Sequence, residues 1–228
     1  MKGFSWKVIV IALSAMTAQQ TVAEEKQGVA LPQPSVSGDM SVEEALHERR
    51  SIRRYGDAPL PLRDIGQLAW AAQGITEERR GLRTSPSAGA TYPLEIYFLI
   101  TGLEEIPDGL YRYVTRGHRL EKVLSGDRRG DLFESALYQD AIMSAPVVMV
   151  ITGVEERTAR RYGQRATRYV HMEAGHAAQN VSLQAVALGI GTVVIGAFDD
   201  SAVVQALRLD EGESPLYLMP LGKQLDNS

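Results

Sequence analysis

Helical stripes and continuous apolar runs take turns along this chain, and the change from one to the other marks its elements. Behind Pro61, Leu62, Ile65, Leu68, Ala69 and Ala72 recur at helical spacing, and Gly74 stands where such a helix would close. Ahead of it, Ser41 and Glu44 have the spacing of a capping box, which predicts a short helix to about Glu48. Glu95–Thr101 reads as a strand, and Leu110–Val114 with Arg119–Val123 as a hairpin around Thr115–His118. The apolar run Pro146–Thr152 predicts a buried strand, Gly130–Gln139 a further helix, and Glu155–Leu188 a long helical region interrupted near Gly163. A strand at Thr192–Ile195, a helix capped by Asp199 or Asp200, and a last strand at Leu216–Leu221 complete the pattern. There is no internal repeat. Strands and helices mix without strict alternation, which favours an α+β layered domain.

The long helix poses the main question. It is rich in alanine and reads as buried on most sides, yet Glu173, His176, Asn180 and Gln184 follow one line along it. Gly189, Gly191 and Gly196 come next. They do not form a dinucleotide fingerprint, because the spacing is wrong and they follow a helix and precede a strand. Gly189 suits a helix C-cap, and Gly196 could admit a ligand to the backbone.

The N-terminus changes the picture of where the chain works. Lys2 and Lys7 precede the apolar run Val8–Ala15, and Thr21-Val22-Ala23 offers small residues for a signal peptidase. Residues 1–23 are therefore expected to be a secretory signal peptide, with export across the inner membrane to the periplasm. The run is shorter than the roughly 20 residues of a spanning helix, so no stable membrane insertion is expected after cleavage. Residues 24–38, rich in Gln, Pro, Ser and Gly, are expected to be a linker, and residues 39–228 a single domain. Among 228 residues there is no cysteine, which excludes disulfides, a cysteine nucleophile, thiolate metal sites and a lipoprotein anchor. A net charge of -4 gives no global attraction to nucleic acid, and no nucleic-acid partner is expected.

Two segments can hold a ligand. In Arg49-Arg-Ser-Ile-Arg-Arg-Tyr55, an extended backbone places Arg49, Ser51 and Arg53 on one face and Arg50, Ile52 and Arg54 on the other. Two guanidiniums flanking a hydroxyl can grip a phosphate, although a solvated basic surface has the same composition. The small residues of Ser85-Pro-Ser-Ala-Gly-Ala-Thr-Tyr-Pro93 would let a flat ligand approach backbone N–H groups, although an ordinary loop reads the same way. His171 and His176 are five apart and share no helix face, so no metal site is expected. No nucleophile elbow and no P-loop is present.

Taken together and in this order, the arginine segment, the Ser85–Pro93 loop, Glu173–Asn180, Gly189–Thr192 and Ile195–Phe198 resemble the FMN-dependent nitroreductase superfamily. Gly109–Leu124 resembles its SagB-type branch of azoline dehydrogenases. The resemblance implies an α/β/α sandwich of three layers with a mainly antiparallel sheet, dimeric, with FMN between subunits. It implies that Arg49, Arg50, Ser51 and Arg53 hold the FMN phosphate and the pyrimidine edge. Pro86, Ser87, Ala88 and Gly89 would lie along the flavin from the partner chain. Gln139 would face the ring, Gly196 and Ala197 would contact it by backbone near N5, and Lys223 would reach the phosphate. The long helix would be the central dimer helix, its polar stripe satisfied at the buried subunit interface.

The implied activity is hydride transfer through flavin N5 to a nitro, quinone or similar small acceptor, with NAD(P)H as a candidate donor. A SagB-like dehydrogenase of a heterocycle or peptide, and a non-catalytic flavin carrier or sensor, are the alternatives. The resemblance names no catalytic side chain here. Azoline-oxidising members carry a Lys-Tyr pair ahead of the central helix, where this chain has Arg161-Tyr162; arginine holds its proton too tightly for proton transfer.

Overall fold

The structure is a computed structural model and describes residues 28–225. The secretory pattern at 1–23 lies outside the described residues. The main sheet has the order β1-β6-β5-β4-β7-β9-β8, where β1 is Gly28–Ala30, β4 Leu94–Ile100, β5 Gly109–Val114, β6 Arg119–Ser125, β7 Val147–Val154, β8 Ile190–Thr192 and β9 Glu213–Lys223. Every pair of neighbours in it is antiparallel. A small hairpin, β2 (Ile75–Glu77) with β3 (Leu82–Arg83), stands apart.

Side-chain alternation divides this sheet between two cores. Ile96, Phe98 and Ile100 of β4 and Val147, Met149 and Ile151 of β7 face α2 (Leu62–Gln73) and α6 (Ala166–Ala187). Tyr97, Leu99, Val148 and Val150 face α3 (Arg129–Ser135), α4 (Asp140–Ser144) and α7 (Asp200–Leu207). The result is the expected three-layer α+β sandwich with an antiparallel sheet. Full burial of each such aliphatic side chain contributes about 1.5–3 kcal/mol. Alanines at 174, 177, 178 and 185 let α6 lie close to the sheet. A β-carbon on Gly153 of β7 would stand 2.7 Å from Val170 of that helix.

Local signals place most of the helices. Ser41 Oγ accepts from Glu44 N at 3.0 Å and starts α1 (Val42–Glu48), and Asp199 caps α7 by accepting from Ala202 N at 2.9 Å. Pro61 directly precedes α2, and Gly74 closes it. The long helical region is broken where expected: α5 (Glu155–Tyr162) ends at Gly163, whose φ is 52°, and α6 follows after a short 3-10 turn.

Residues 28–35 of the segment expected to be a linker are docked on the domain. Gly28–Ala30 pair with β6, and Leu31 enters the core at 5% exposure. Leu31 N donates to His118 O at 3.0 Å, His118 Nε2 lies 3.0 Å from Pro32 O, and Gln67 brackets Ser35 N and O at 2.8 and 2.9 Å. These are mostly backbone attachments, which leave no hydrophobic period to read. Helix α4 also escaped the pattern, because the expected single helix from Gly130 breaks at Ala136 and restarts at Asp140. No described helix is long and apolar enough to cross a membrane.

Candidate active site

The arginine segment is laid against the edge of the sheet by its backbone. Ile52 N donates to Thr192 O at 2.9 Å, Gly56 N donates to Lys223 O at 2.9 Å, and Tyr55 bridges Gln224. Two glycines make room for it. A β-carbon on Gly191 would lie 2.6 Å from Ile52 Cγ2, and one on Gly222 would lie 2.6 Å from Tyr55 Cβ. Tyr55 is buried and donates to Ile52 O at 2.8 Å; burial pushes its hydroxyl well above the ordinary range.

Among the described residues, none of Arg49, Arg50, Arg53 and Arg54 makes an ion pair. Arg50 is nonetheless engaged, donating to His47 O at 2.8 Å and Arg49 O at 2.7 Å at the end of α1. Ser51 and Arg53 are exposed and Arg49 half-buried, so these three keep unspent donors on the edge. The hydroxyl of Thr192, beside Ile52, is buried without a partner. Lys223 differs from the arginines: its Nζ lies 3.0 Å from Asp64 Oδ2, and Asp64 is itself buried in the first turn of α2. Gln139 donates to Ala197 O at 2.9 Å and to Ala136 O at 3.0 Å, which ties the start of α4 to the exposed Gly196-Ala197 segment. No contact shorter than 3.5 Å awaits a β-carbon at Gly196.

Pro86, Ser87, Ala88 and Gly89 form the second group, held by side chains from other elements. Ala88 N donates to Glu173 Oε1 at 2.8 Å, Tyr92 N to Ser87 Oγ at 2.9 Å, and Arg161 Nη1 to Gly89 O at 3.2 Å. Thr91 and Thr158 hydroxyls meet at 2.9 Å, and the Arg83 guanidinium sits 4.2 Å above the Tyr92 ring. Three residues have left-handed backbone, Gly89, Ala90 and Tyr92 at φ 59°, 54° and 45°. Such a loop is held in shape by what surrounds it. Glu173 is 3% exposed and its Oε2 has no partner. Burial raises its carboxyl above the ordinary range, opposed by the Ala88 N–H.

Three of the four residues in the polar stripe on α6 thus have partners within the chain. Glu173 holds the loop, Asn180 Nδ2 donates to Ala71 O at 3.2 Å and Ser85 Oγ at 3.0 Å, and Gln184 Oε1 accepts from Gln67 Nε2 at 3.1 Å. His176 is exposed.

The two groups meet α6 at different places, the loop along its middle and the arginine edge beyond its C-terminal end. Glu173 marks the loop's end, and the arginine edge meets β8 just beyond Ala187; about 1.5 Å per residue puts about 21 Å between those helix positions. One chain therefore does not bring all the expected residues together. A groove of about 1010 Å³ between residues 35–45, α2 and α6 is lined by none of them. Among the described residues there is no cluster of metal-ligating side chains.

The profile of the nitroreductase family matches residues 46–223, a span that includes both groups. The chain belongs to the nitroreductase family. A protein of Methanocaldococcus jannaschii named as a nitroreductase is 44% identical over 188 residues, covering 82% of this chain and 93% of that one. The Microcin B17-processing protein McbC of Escherichia coli is 27% identical, covering 74% of this chain and 64% of McbC. Among solved structures, a Ralstonia eutropha protein described as a nitroreductase superposes with TM-score 0.79 at 28% identity, covering 90% of this chain and 93% of that one. The NADPH:FMN oxidoreductase of Vibrio harveyi shares the fold, with TM-score 0.59 at 21% identity, over 82% of this chain and 70% of that one.

Asp64 and Thr192 join the candidate set only through the structure. Asp64 sits in a helix's first turn, where acidic residues are common for other reasons. An isolated threonine in an apolar strand carries no functional signal.

Proposed function

We propose that this nitroreductase-family chain is an FMN-dependent oxidoreductase whose cofactor lies between two copies, and that it reduces a nitro, quinone or similar small acceptor. The observation that carries this reading is the separation of the two groups along α6. Two places along the helix each have half a site, and a two-fold axis crossing the α6 strip at the exposed Met172 and Gln179 and the half-buried Gly175 would set each half against the partner's other half.

The residues fit FMN. Arg49, Ser51 and Arg53 supply unspent donors of the kind that bind phosphate by charge-assisted hydrogen bonds. Thr192 Oγ1 adds a buried hydroxyl without a partner beside them. Pro86–Gly89 offer a flat, small-residue wall fixed from beneath by Glu173. Gln139, Gly196 and Ala197 form a polar, backbone-accessible segment. Arg50 and Lys223 have the weaker claim, since one is spent on carbonyls and the other on Asp64. When bound, FMN supplies two-electron transfer through N5. The chain's part is to hold and orient it, to exclude water with the partner's loop, and to place a cation such as Arg53 where negative charge develops.

The similarity to McbC supports a second reading, a dehydrogenase of a heterocycle or peptide. Arg161 and Tyr162 do stand at Gly89, with Arg161 Nη1 on its carbonyl at 3.2 Å. A permanently charged guanidinium cannot take up a proton there, which favours the reductase. A carrier or sensor that binds flavin without turnover is the third reading. The N-terminal pattern supports export to the periplasm, where NAD(P)H is scarce and another donor would serve.

The test is a visible spectrum of the purified protein, followed by anaerobic NADPH or NADH. A flavin spectrum that bleaches is the expected result. A spectrum that persists with either donor moves the reading to another donor or to a carrier. No flavin, even after FMN is added, would overturn the proposal.

A further inference from the structure

The segment between Glu155 and Tyr169 carries five arginines, at 157, 160, 161, 165 and 168, against two carboxylates, Glu155 and Glu156. Arg157 pairs with Glu95 at 2.5 Å, Arg160 pairs with Glu156 at 3.0 Å, and Glu155 accepts from the Thr167 hydroxyl. Among the described residues no carboxylate pairs with Arg161, Arg165 or Arg168, and all three are exposed. Arg157 and Arg161 also stand four apart in α5, a spacing at which like charges repel.

Two of these cations are oriented by neighbouring rings. The Arg161 guanidinium lies 5.6 Å from the Tyr162 ring centroid and the Arg165 guanidinium 5.5 Å from that of Tyr169, whose hydroxyl accepts from Arg165 Nε at 3.1 Å. The two rings meet edge-on at 5.1 Å between centroids. An aromatic face at this range steadies a guanidinium without neutralising it. Arg161 Nη1 donates to Gly89 O at 3.2 Å, and Tyr162 Oη stands 2.7 Å from where a β-carbon on Gly89 would be. Arg161, Tyr162, Tyr169 and Arg165 thus form one chain of contacts that starts on the wall Pro86–Gly89. A guanidinium has several N–H donors, and the Gly89 carbonyl is the single acceptor that Arg161 meets among the described residues.

We propose that Arg161, with Arg165 behind it, is an anion anchor beside the flavin wall, and that the molecule exchanging electrons there carries a carboxylate or phosphate group. The proposal rests on the FMN reading and adds a charge class to it. It gives Arg161 a role that suits a permanent charge: a guanidinium stays cationic at every working pH, and its planar fork matches a carboxylate or a phosphate. Such a group can come from two sources, an acidic acceptor or the 2′-phosphate of NADPH, and the test separates them.

The test uses the FMN-loaded full chain in its oxidised state, with binding followed by the flavin absorbance. Two pairs of probes each differ by one anionic group: 4-nitrobenzoate with 4-nitrobenzamide, and NADP+ with NAD+. The readout is the ratio of dissociation constants within a pair, which a loop shift that weakens both members alike does not move. The expected result is a preference of about tenfold for the anionic member of one pair, falling as salt is added. A preference within the nitrobenzoate pair assigns the anchor to the acceptor, and one within the NADP+ pair assigns it to the donor. In Arg161→Gln the ratio falls to near one, in Arg161→Lys part of it stays with the charge, and in Arg165→Gln it falls part of the way. A parent that holds FMN but discriminates within neither pair, or binds none of the four probes, would overturn the anchor alone. So would a preference that survives in the double variant Arg161→Gln, Arg165→Gln. Should Arg161→Gln fail to fold, Arg165→Gln decides, and an unchanged ratio there overturns the anchor. A parent protein that takes up no FMN would overturn the proposed function and the anchor with it.

Discussion

The two segments proposed to meet the ligand are built in opposite ways. The arginine edge, Arg49–Tyr55, is fixed by its backbone and by two glycines beneath it, and most of its polar side chains are left unspent. The loop Pro86–Gly89 has little side chain of its own and is fixed by side chains reaching in from elsewhere, Glu173 and Arg161 foremost. A segment that must offer charge keeps its side chains free and spends its backbone. A segment that must offer a flat surface does the reverse, and needs neighbours to hold left-handed backbone in place. Under the proposed function the two segments would serve different parts of one ligand, an anionic end and a planar end.

The same substitution in each segment should separate them most clearly. In Gly191→Ala the new methyl lies 2.6 Å from Ile52 Cγ2 and 2.9 Å from its Cβ, close to the Ile52 backbone, so the arginine edge must move. Overpacking of this kind costs about 1–3 kcal/mol, and FMN affinity measured by fluorescence quenching should fall by about a hundredfold as the edge shifts. In Gly89→Ala the methyl meets Tyr162 Oη at 2.7 Å and Arg161 Nη1 at 2.8 Å, the ends of flexible side chains, at a φ of 59°. A loss smaller than at Gly191 is expected there; equal losses would dissolve the contrast.

Within the edge, Arg53→Ala should weaken FMN binding by about 1.5–3 kcal/mol, the range for a hydrogen bond to a charged group, and reduce its dependence on salt. Arg50→Ala, whose donors already serve His47 O and Arg49 O, should lose less. A calorimetric titration in which Arg50 proves the more important would reverse the assignment of faces.

The smallest effect concerns pH and the loop. Burial holds the Glu173 carboxyl above its ordinary value of 4.5, so folding favours the protonated form. That contribution is fully present below the ordinary value and is lost as pH rises through the raised one. Glu173→Gln keeps an oxygen for Ala88 N and does not titrate. The melting temperature of the variant relative to the parent should therefore climb as pH goes from about 4 to 7. A difference independent of pH would mean that folding leaves the Glu173 carboxyl at its ordinary value, and one that falls as pH rises would mean that it is held as a carboxylate.

Legibility in the sequence followed the kind of interaction. Helices with a side-chain cap or a stripe were readable: Ser41 before α1, Asp199 before α7, and the break at Gly163. The alternation that set Arg50 apart from Arg49, Ser51 and Arg53 was readable as well, from the extended backbone alone. The strand at Gly28–Ala30 was not, because backbone pairing to β6 carries no side-chain period. Nor was the pairing of Lys223 with Asp64, which joins a strand end to a helix 159 positions away.

The sequence by itself determined most of the longer elements, the family and the two segments proposed to meet a ligand, because caps, periods and residue types act over a few neighbouring positions. Only the tertiary structure decided where those segments stand. It put them at different places along α6, gave three of the four residues in the helix's polar stripe a partner inside the chain, and left Thr192 Oγ1 and Glu173 Oε2 buried without any. Those outcomes depend on contacts between distant residues, and a chain acquires such contacts only when its sheet and helices close around a common core.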